Sequence, residues 1–347
     1  MVRVMVVFGG RSGEHEVSLA SARAIIEALE GRHEVVPVGI TRSGRWISSG
    51  DPMHELESRS TEITDGSAPG PLARAEEKLP ASTLGSVDVV FPVLHGPYGE
   101  DGTIQGMLEL AGIPYVGSGV LASAVGMDKL TMKKIFTHHG LPQVEWLGLT
   151  RQEWSEDGMA WVREIEGSLG YPCFVKPANL GSSVGINKAG DEEELRAALD
   201  EAAKLDRRLI VESGVDAREI EVSVLGNEEP KTSVPGEIVV KKNEFYDYEA
   251  KYAEGGMELL VPADIPDDVS AEIKRIARTA YRAIDAAGMA RVDFFLERGS
   301  GRLLINEINT IPGFTPTSVY SRLWDASGLP YEELLDRLVQ LALERHG

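Results

Sequence analysis

Short apolar runs alternate with amphipathic stretches through the first third of the chain. "VRVMVVF" (2–8) is nearly continuous in apolar residues and is closed by Gly9 and Gly10, the pattern of a buried strand. "EVSLASARAIIEAL" (16–29) has helical spacing, "HEVVPVGI" (33–40) and "VDVVFPVL" (87–94) read as strands, and "TIQGMLELAG" as a helix ending at Gly112. Strands alternating with helices predict a doubly wound parallel sheet. A polar stretch from Thr41 to Ser86, rich in Ser, Gly, Pro and Glu, reads as an insertion, mobile in part.

Beyond it the pattern changes. "MDKLTMKKIFTHHG" (127–140) predicts a helix, "YPCFVKP" a strand, "DEEELRAALDEAAKL" a helix and "RRLIVES" a strand, together an α+β unit. Strands "REIEVSVLG" and "SVPGEIVV" follow. Ser270 to Ala287 then places Ile273, Ile276, Ala280, Tyr281, Ile284 and Ala287 on one helical face, with Gly288 suited to stop it. "MARVDFFLE" and "RLLINEIN" read as two strands across "RGSG", and "PYEELLDRLVQLALERHG" as a closing amphipathic helix. One stretch fits neither period. "NEFYDYEAKY" (243–252) carries Phe245, Tyr246, Tyr248 and Tyr252, too much aromatic area for an idle loop.

Composition narrows the function. A length of 347 residues allows two or three globular units. A formal charge of -20 argues against nucleic acid or an anionic membrane as main partner, although local cations can still hold phosphate. Cys173 is the sole cysteine, so no internal disulfide forms, and its apolar setting suits an inert buried thiol. The first residues lack the long apolar core of a signal peptide, and no stretch is long enough to span a bilayer, so a cytoplasmic protein is expected.

Chemistry gathers at the hairpin. Arg291 and Asp293 share a strand face; Glu307 and Asn309 share another, continuing from Leu303 and Ile305. The turn brings Asp293 near Glu307. Two carboxylates in a poorly solvated site resist ionising unless a cation joins them, and a donor set of oxygens without Cys or His suits Mg²⁺ or Mn²⁺ better than Zn²⁺. In "KPANLGSSVG", Lys176 ends a strand and Gly181, Ser182, Ser183 and Gly185 form a loop that is either a plain turn or a phosphate cradle; it is not a Walker loop. "GGRSGEHEVS" lacks dinucleotide-binding spacing, and Glu14 reads as a helix-start acid or a ligand group. His95, in a loop after a strand, is either structural or part of a site.

"HEVSLAS", "LHGPYGEDGTIQGMLELAGIPYVGSGV", "MDK", "VKPANLGSSVGI", "FYDYEAKY", "ARVDFF" and "NEINTIPGFTPTS" occur together and in order. With these motifs the chain resembles the D-alanine–D-alanine ligases, ATP-grasp enzymes of cell-wall synthesis, from about Val2 to the last helix. The resemblance implies an α/β and α+β enzyme of three domains: an N-terminal domain over 1–117 with the insertion near 41–86, a central lid domain over 118–212, and a C-terminal domain over 213–347 with the loop 243–256. It implies that Lys129, Lys176, Ser182 and Lys251 hold ATP phosphates. Glu212 and Val215 meet adenine, Glu219 the ribose, and Asn306 and Glu307 complete the ATP contacts. Asp293, Glu307 and Asn309 bind two Mg²⁺ or Mn²⁺ ions. Arg291 and the N–H of Gly313 form an oxyanion hole. Glu14, with Val17 and His95, receives the first D-alanine, and Ser318 and Val319 the carboxylate of the second. Glu14, Ser182 and Tyr252 form a link that closes the site. Relatives often carry Lys at the position of Ser213 and Leu at that of Val319. Tyr252 points to D-alanine as second substrate, with D-lactate and D-serine as the rivals in the same fold. A homodimer is the usual assembly.

Overall fold

The computed structural model describes residues 1–60, 85–181, 185–240 and 257–347. The loop "NEFYDYEAKY", with Lys251 and Tyr252, and also Ser182 lie outside them. Three sheets organise the described residues.

The first has the order β3-β2-β1-β4, from β1 (Arg3–Gly9), β2 (Glu34–Ile40), β3 (Trp46–Ile47) and β4 (Val89–Val93). β1 pairs in parallel with β2 and β4, as the alternation of elements predicts, whereas the two-residue β3 is an antiparallel edge. β1 is apolar throughout because both its faces are covered. Val4, Val6 and Phe8 pack against α1 (His15–Leu29) and the last helix, while Met5 and Val7 pack with Ile104 and Leu108 of the helix Thr103–Ala111. The polar stretch after Ile40 is not all insertion without structure. It starts with β3 and α2 (Pro52–Ser60), whose Leu56 is buried against Gly39. The helix Thr103–Ala111, α3, stops at Gly112 with φ 65°.

The helix expected over 127–140 is α5 (Lys129–His138); Met127 instead ends a preceding helix, α4 (Val120–Met127), and Asp128 between them is extended. Its carboxylate accepts Thr131 N–H at 2.8 Å, capping α5, and pairs with Arg208. The second sheet, order β5-β8-β6-β7, joins β5 (Trp146–Thr150), β6 (Cys173–Pro177), β7 (Asn187–Ala189) and β8 (Arg208–Ser213), all antiparallel, under α6 (Arg151–Ser168) and α7 (Glu192–Leu205). Cys173 lies in that core, and burial pushes its thiol up to about 11, which removes it as a nucleophile at neutral pH.

The third sheet has the order β12-β11-β9-β13-β14, with β10 (Lys231–Thr232) on β9 (Ala217–Gly226). Its other members are β11 (Gly236–Val240), β12 (Met257–Leu260), β13 (Gly288–Glu297) and β14 (Leu303–Asn309). α8 runs Asp267–Ala283, earlier at both ends than the spacing predicts. Asp285, at φ 61°, makes a left-handed turn just after the helix, and Gly288, at φ 71°, makes a second one as it opens β13. A Cβ on Gly288 would also lie 3.0 Å from the backbone of Gly117. α9 (Val319–Asp325) and α10 (Tyr331–His346) return the chain to the first sheet, where Leu334, Leu335 and Leu338 join its core. Among the described residues no helix is long and apolar enough to cross a membrane.

Candidate active site

The floor of the site is one face of the third sheet. Alternate residues Ile220, Val222 and Val224 of β9 and Ala290, Val292 and Phe294 of β13 enter the core. The residues between them face the other way. Asp293 stands opposite both Glu221 and Glu307, and Arg291 opposite Asn309. The expectation that Glu307 and Asn309 continue the face of Leu303 and Ile305 is incorrect. The register shifts between Asp293 and Phe294, so Ile305 pairs with Phe294 and Asn306 is the extra residue of a bulge. Ile305 and Ile308 are therefore both in the core, and Glu307 and Asn309 are turned onto the site face.

Arg291 donates to both oxygens of Asp293 at 2.7 Å, and its Nε lies 3.0 Å from Glu221. Asn309 Nδ2 donates to Asp293 Oδ2 at 3.0 Å, which turns the amide oxygen toward other partners. Among the described residues no three His, Cys, Asp or Glu side chains converge as a ready metal cage. The donor set is two carboxylates and an amide, beside Glu221. Hard oxygen donors with excess negative charge fit Mg²⁺ or Mn²⁺.

The second wall comes from β6, β8 and α5. Glu212 lies between two ammoniums, with Lys176 Nζ at 2.6 Å from Oε2 and Lys133 Nζ at 3.0 Å from Oε1. Burial alone would raise the Glu212 carboxyl, but the two lysines override it and hold it down to about 2. Lys129 donates from Nζ to the Leu180 carbonyl at 2.7 Å and from its backbone to Ala178 at 2.9 Å, which ties α5 to the glycine-rich loop.

The third wall is the C-terminal edge of the first sheet. Glu14 occupies the N-cap position of α1 without a side-chain capping bond. A Cβ added at Gly96 or Gly181 would lie 3.2 or 3.1 Å from its Oε2, so three loops meet at this carboxylate and glycine permits the approach. His95 is buried, and burial lowers its pKa despite Glu14. Its Nδ1 faces the Ile311 carbonyl at 3.1 Å, so the neutral ring carries its proton there and Nε2 is an acceptor. Gly313 precedes Phe314, whose N–H donates to Ser21 Oγ at 3.2 Å and whose carbonyl accepts from Tyr331 at 2.9 Å. Ser318 accepts Thr315 N–H at 3.0 Å at the start of α9.

Two cavities result. The larger, about 550 Å³, is lined by Glu14, Val17, His95, Lys129, Arg291, Asn309, Gly313, Ser318 and Val319 among others. The smaller, about 190 Å³, is lined by Lys176, Glu212, Val215, Glu219, Asp293 and Asn306 among others. Glu307 lines both.

The chain has known counterparts. The family model described as D-ala D-ala ligase N-terminus matches residues 3–118, and that described as D-ala D-ala ligase C-terminus matches residues 135–340. The chain belongs to the D-alanine–D-alanine ligase family. It is 52% identical over 351 residues to the D-alanine–D-alanine ligase of Heliobacterium modesticaldum, covering 99% of this chain and 95% of the relative. It is 49% identical to that of Geobacillus thermodenitrificans over 351 residues, with 99% and 96% covered. Among solved structures, the D-alanine-D-alanine ligase from Coxiella burnetii superposes with a TM-score of 0.81 at 36% identity, covering 99% of this chain and 94% of that one. The VanG D-Ala:D-Ser ligase from Enterococcus faecalis does so with 0.82 at 36%, covering 98% and 99%.

Within this ligase fold the structure places each described candidate residue on one of the two cavities. Three residues escaped the sequence reading. Glu221 is two positions after Glu219 and so shares its face. Lys133 is one turn after Lys129. Glu100 lies in the loop "HGPYGEDG" and accepts Gly96 N–H at 2.9 Å. Burial, then the charge of Glu14, raises the Glu100 carboxyl from 4.5 to about 8. Folded protein therefore keeps this proton while the unfolded chain releases it, and stability falls as pH rises between these values. Glu100→Gln removes that cost. The variant is expected to gain stability over wild type progressively from pH 4.5 to about 8, read by chemical denaturation. A difference that does not vary with pH would show that Glu100 ionises normally.

Proposed function

We propose that the chain joins two molecules of D-alanine into D-alanyl-D-alanine, cleaving ATP to ADP and phosphate, in the cytoplasmic synthesis of peptidoglycan precursors. The observation that carries this reading is Glu307, a carboxylate in the wall common to both cavities. A nucleotide in the smaller chamber and an amino acid in the larger one meet there.

Lys176, Glu212, Val215 and Glu219 hold the nucleotide, with Lys129, Ser182 and Lys251 on its phosphates. Glu14 takes the ammonium of the first D-alanine, with Val17 and the acceptor Nε2 of His95 beside it. The carboxylate of that D-alanine attacks the γ-phosphorus, the bond to ADP breaks, and an acyl phosphate forms. The deprotonated amine of the second D-alanine, held through its carboxylate by Ser318 and Val319, attacks the acyl carbon. Arg291 and the N–H of Gly313 stabilise the oxyanion, and the C–O bond to phosphate breaks. Asp293, Glu307 and Asn309 would hold two Mg²⁺ or Mn²⁺ ions, which would supply neutralisation of phosphate charge. Acyl phosphates hydrolyse in water, so Tyr252 and Ser182 close the site over them. The functional unit is a homodimer of three-domain chains, with domains at 1–117, 118–212 and 213–347.

Purified protein with ATP, Mg²⁺ and D-alanine is expected to release phosphate in step with dipeptide. The VanG structure fits the same fold, so D-serine and D-lactate are the comparison substrates. Mixed product formed at least as fast with either would replace D-alanine as second substrate. No phosphate release with any of the three would defeat the ligase reading.

A further inference from the structure

Behind the smaller cavity lies a charge that the proposed chemistry does not use. Lys133 is 1% exposed and borders neither chamber. It stands four residues after Lys129 on α5, so both side chains leave the same face of that helix. Lys129 reaches the glycine-rich loop. Lys133 reaches Oε1 of Glu212, while Lys176 holds Oε2.

Burying an ammonium this completely costs several kcal/mol before any partner is found, so its presence calls for a reason. Stability of the core is a poor one, because an apolar side chain of similar length would fill the space without that cost. Charge balance supplies a better one. Lys176 and Glu212 alone form a neutral pair, and an anion arriving at Lys176 would meet the field of Glu212 as well. With Lys133 ionised, the cluster of Lys133, Lys176 and Glu212 carries one net positive charge to set against Glu307 and Glu219, whose fields also reach Lys176. Glu212, held at 3.0 and 2.6 Å from its two partners, also cannot turn without losing one of them, which fixes Lys176 in the cavity wall.

We infer that Lys133 is a positioning residue that neutralises Glu212 from behind and thereby leaves the Lys176 ammonium to the phosphates of a bound nucleotide. The inference rests on the nucleotide reading of the smaller cavity. Lys133 touches no ligand; it sets the charge that the ligand feels.

The test compares ADP, bound with Mg²⁺ and measured by calorimetry, with adenosine, measured by saturation-transfer NMR. The readout is the ratio of the two affinities, which cancels any loss of base or ribose contact. In Lys133→Met that ratio is expected to fall roughly tenfold or more, the scale of one charge removed from a poorly solvated site. Lys133→Arg retains it. Lys133→Met combined with Glu212→Gln restores one net positive charge, and the ratio recovers. A packing role alone predicts the opposite: ADP and adenosine weaken together, and the double variant is worse than the single. Either that pattern or an unchanged ratio in Lys133→Met overturns the inference. Wild-type protein that binds neither ADP nor ATP would instead overturn the nucleotide reading beneath it.

Discussion

Glu307→Gln is expected to abolish ATP-dependent phosphate release with D-alanine while the protein stays folded. Glu307 is the carboxylate common to both cavities, and it lies opposite Asp293 across the β13–β14 pair. In the proposed reaction Glu307 is a metal ligand; loss of groups that merely support such a ligand already costs ~10–100-fold in metal affinity or activity, so loss of the ligand itself should cost more. The substitution keeps size and shape and removes one negative charge from a face that also carries Glu219, Glu221 and Asp293. Stability is therefore expected to change little, which a thermal melt and far-ultraviolet dichroism would confirm. Titrating Mg²⁺ separates the two possible defects. Activity that returns at high Mg²⁺ assigns the loss to metal affinity; activity that stays absent assigns it to the placement of the reactants. Full activity at ordinary Mg²⁺ would remove Glu307 from the site altogether.

How far the sequence discloses this site depends on what sets each residue's direction. The strands of the first sheet are legible because burial on both faces leaves continuous apolar runs such as "VRVMVVF". Asp293 and Glu307 meet because a short hairpin permits little else. The bulge at Asn306 was not legible. Strict alternation would place Glu307 on the face of Ile305, and only the pairing of Ile305 with Phe294 shows the shift. The end of α8 misled for a related reason: Asp285 already turns left-handed, so the helix has stopped before Gly288, whose own left-handed turn and close approach to Gly117 serve the start of β13. Lys133 and Glu221 escaped because their roles are set by partners distant in the chain, Glu212 and Arg291. Spacing shows which face a side chain leaves from, not which charge waits opposite. The resemblance to a family supplied the roles of Lys129, Ser318 and Val319, which no local pattern marks.

Glu212→Ala is expected to cost the fold more than any other single change at the site. The wild-type carboxylate is 3% exposed and lies between the ammoniums of Lys133 and Lys176. Removing it leaves two like charges in a poorly solvated space, and breaking a buried pair in this way typically costs ~3–5 kcal/mol. Linkage gives a consistent figure by a separate route. The carboxyl is held down from 4.5 to about 2 by the two lysines, a displacement worth ~3 kcal/mol. The sign follows from the direction. Glu212 contributes this stability fully above pH 4.5, where the unfolded chain is also ionised, and loses it as pH falls toward 2. Urea denaturation of both proteins across this range is the measurement. The wild type should lose its advantage over Glu212→Ala as pH falls, and the two curves should converge near the acid end. A gap that stays constant with pH would mean that the two lysines do not hold the carboxylate ionised, and that Glu212 stabilises the fold by packing alone.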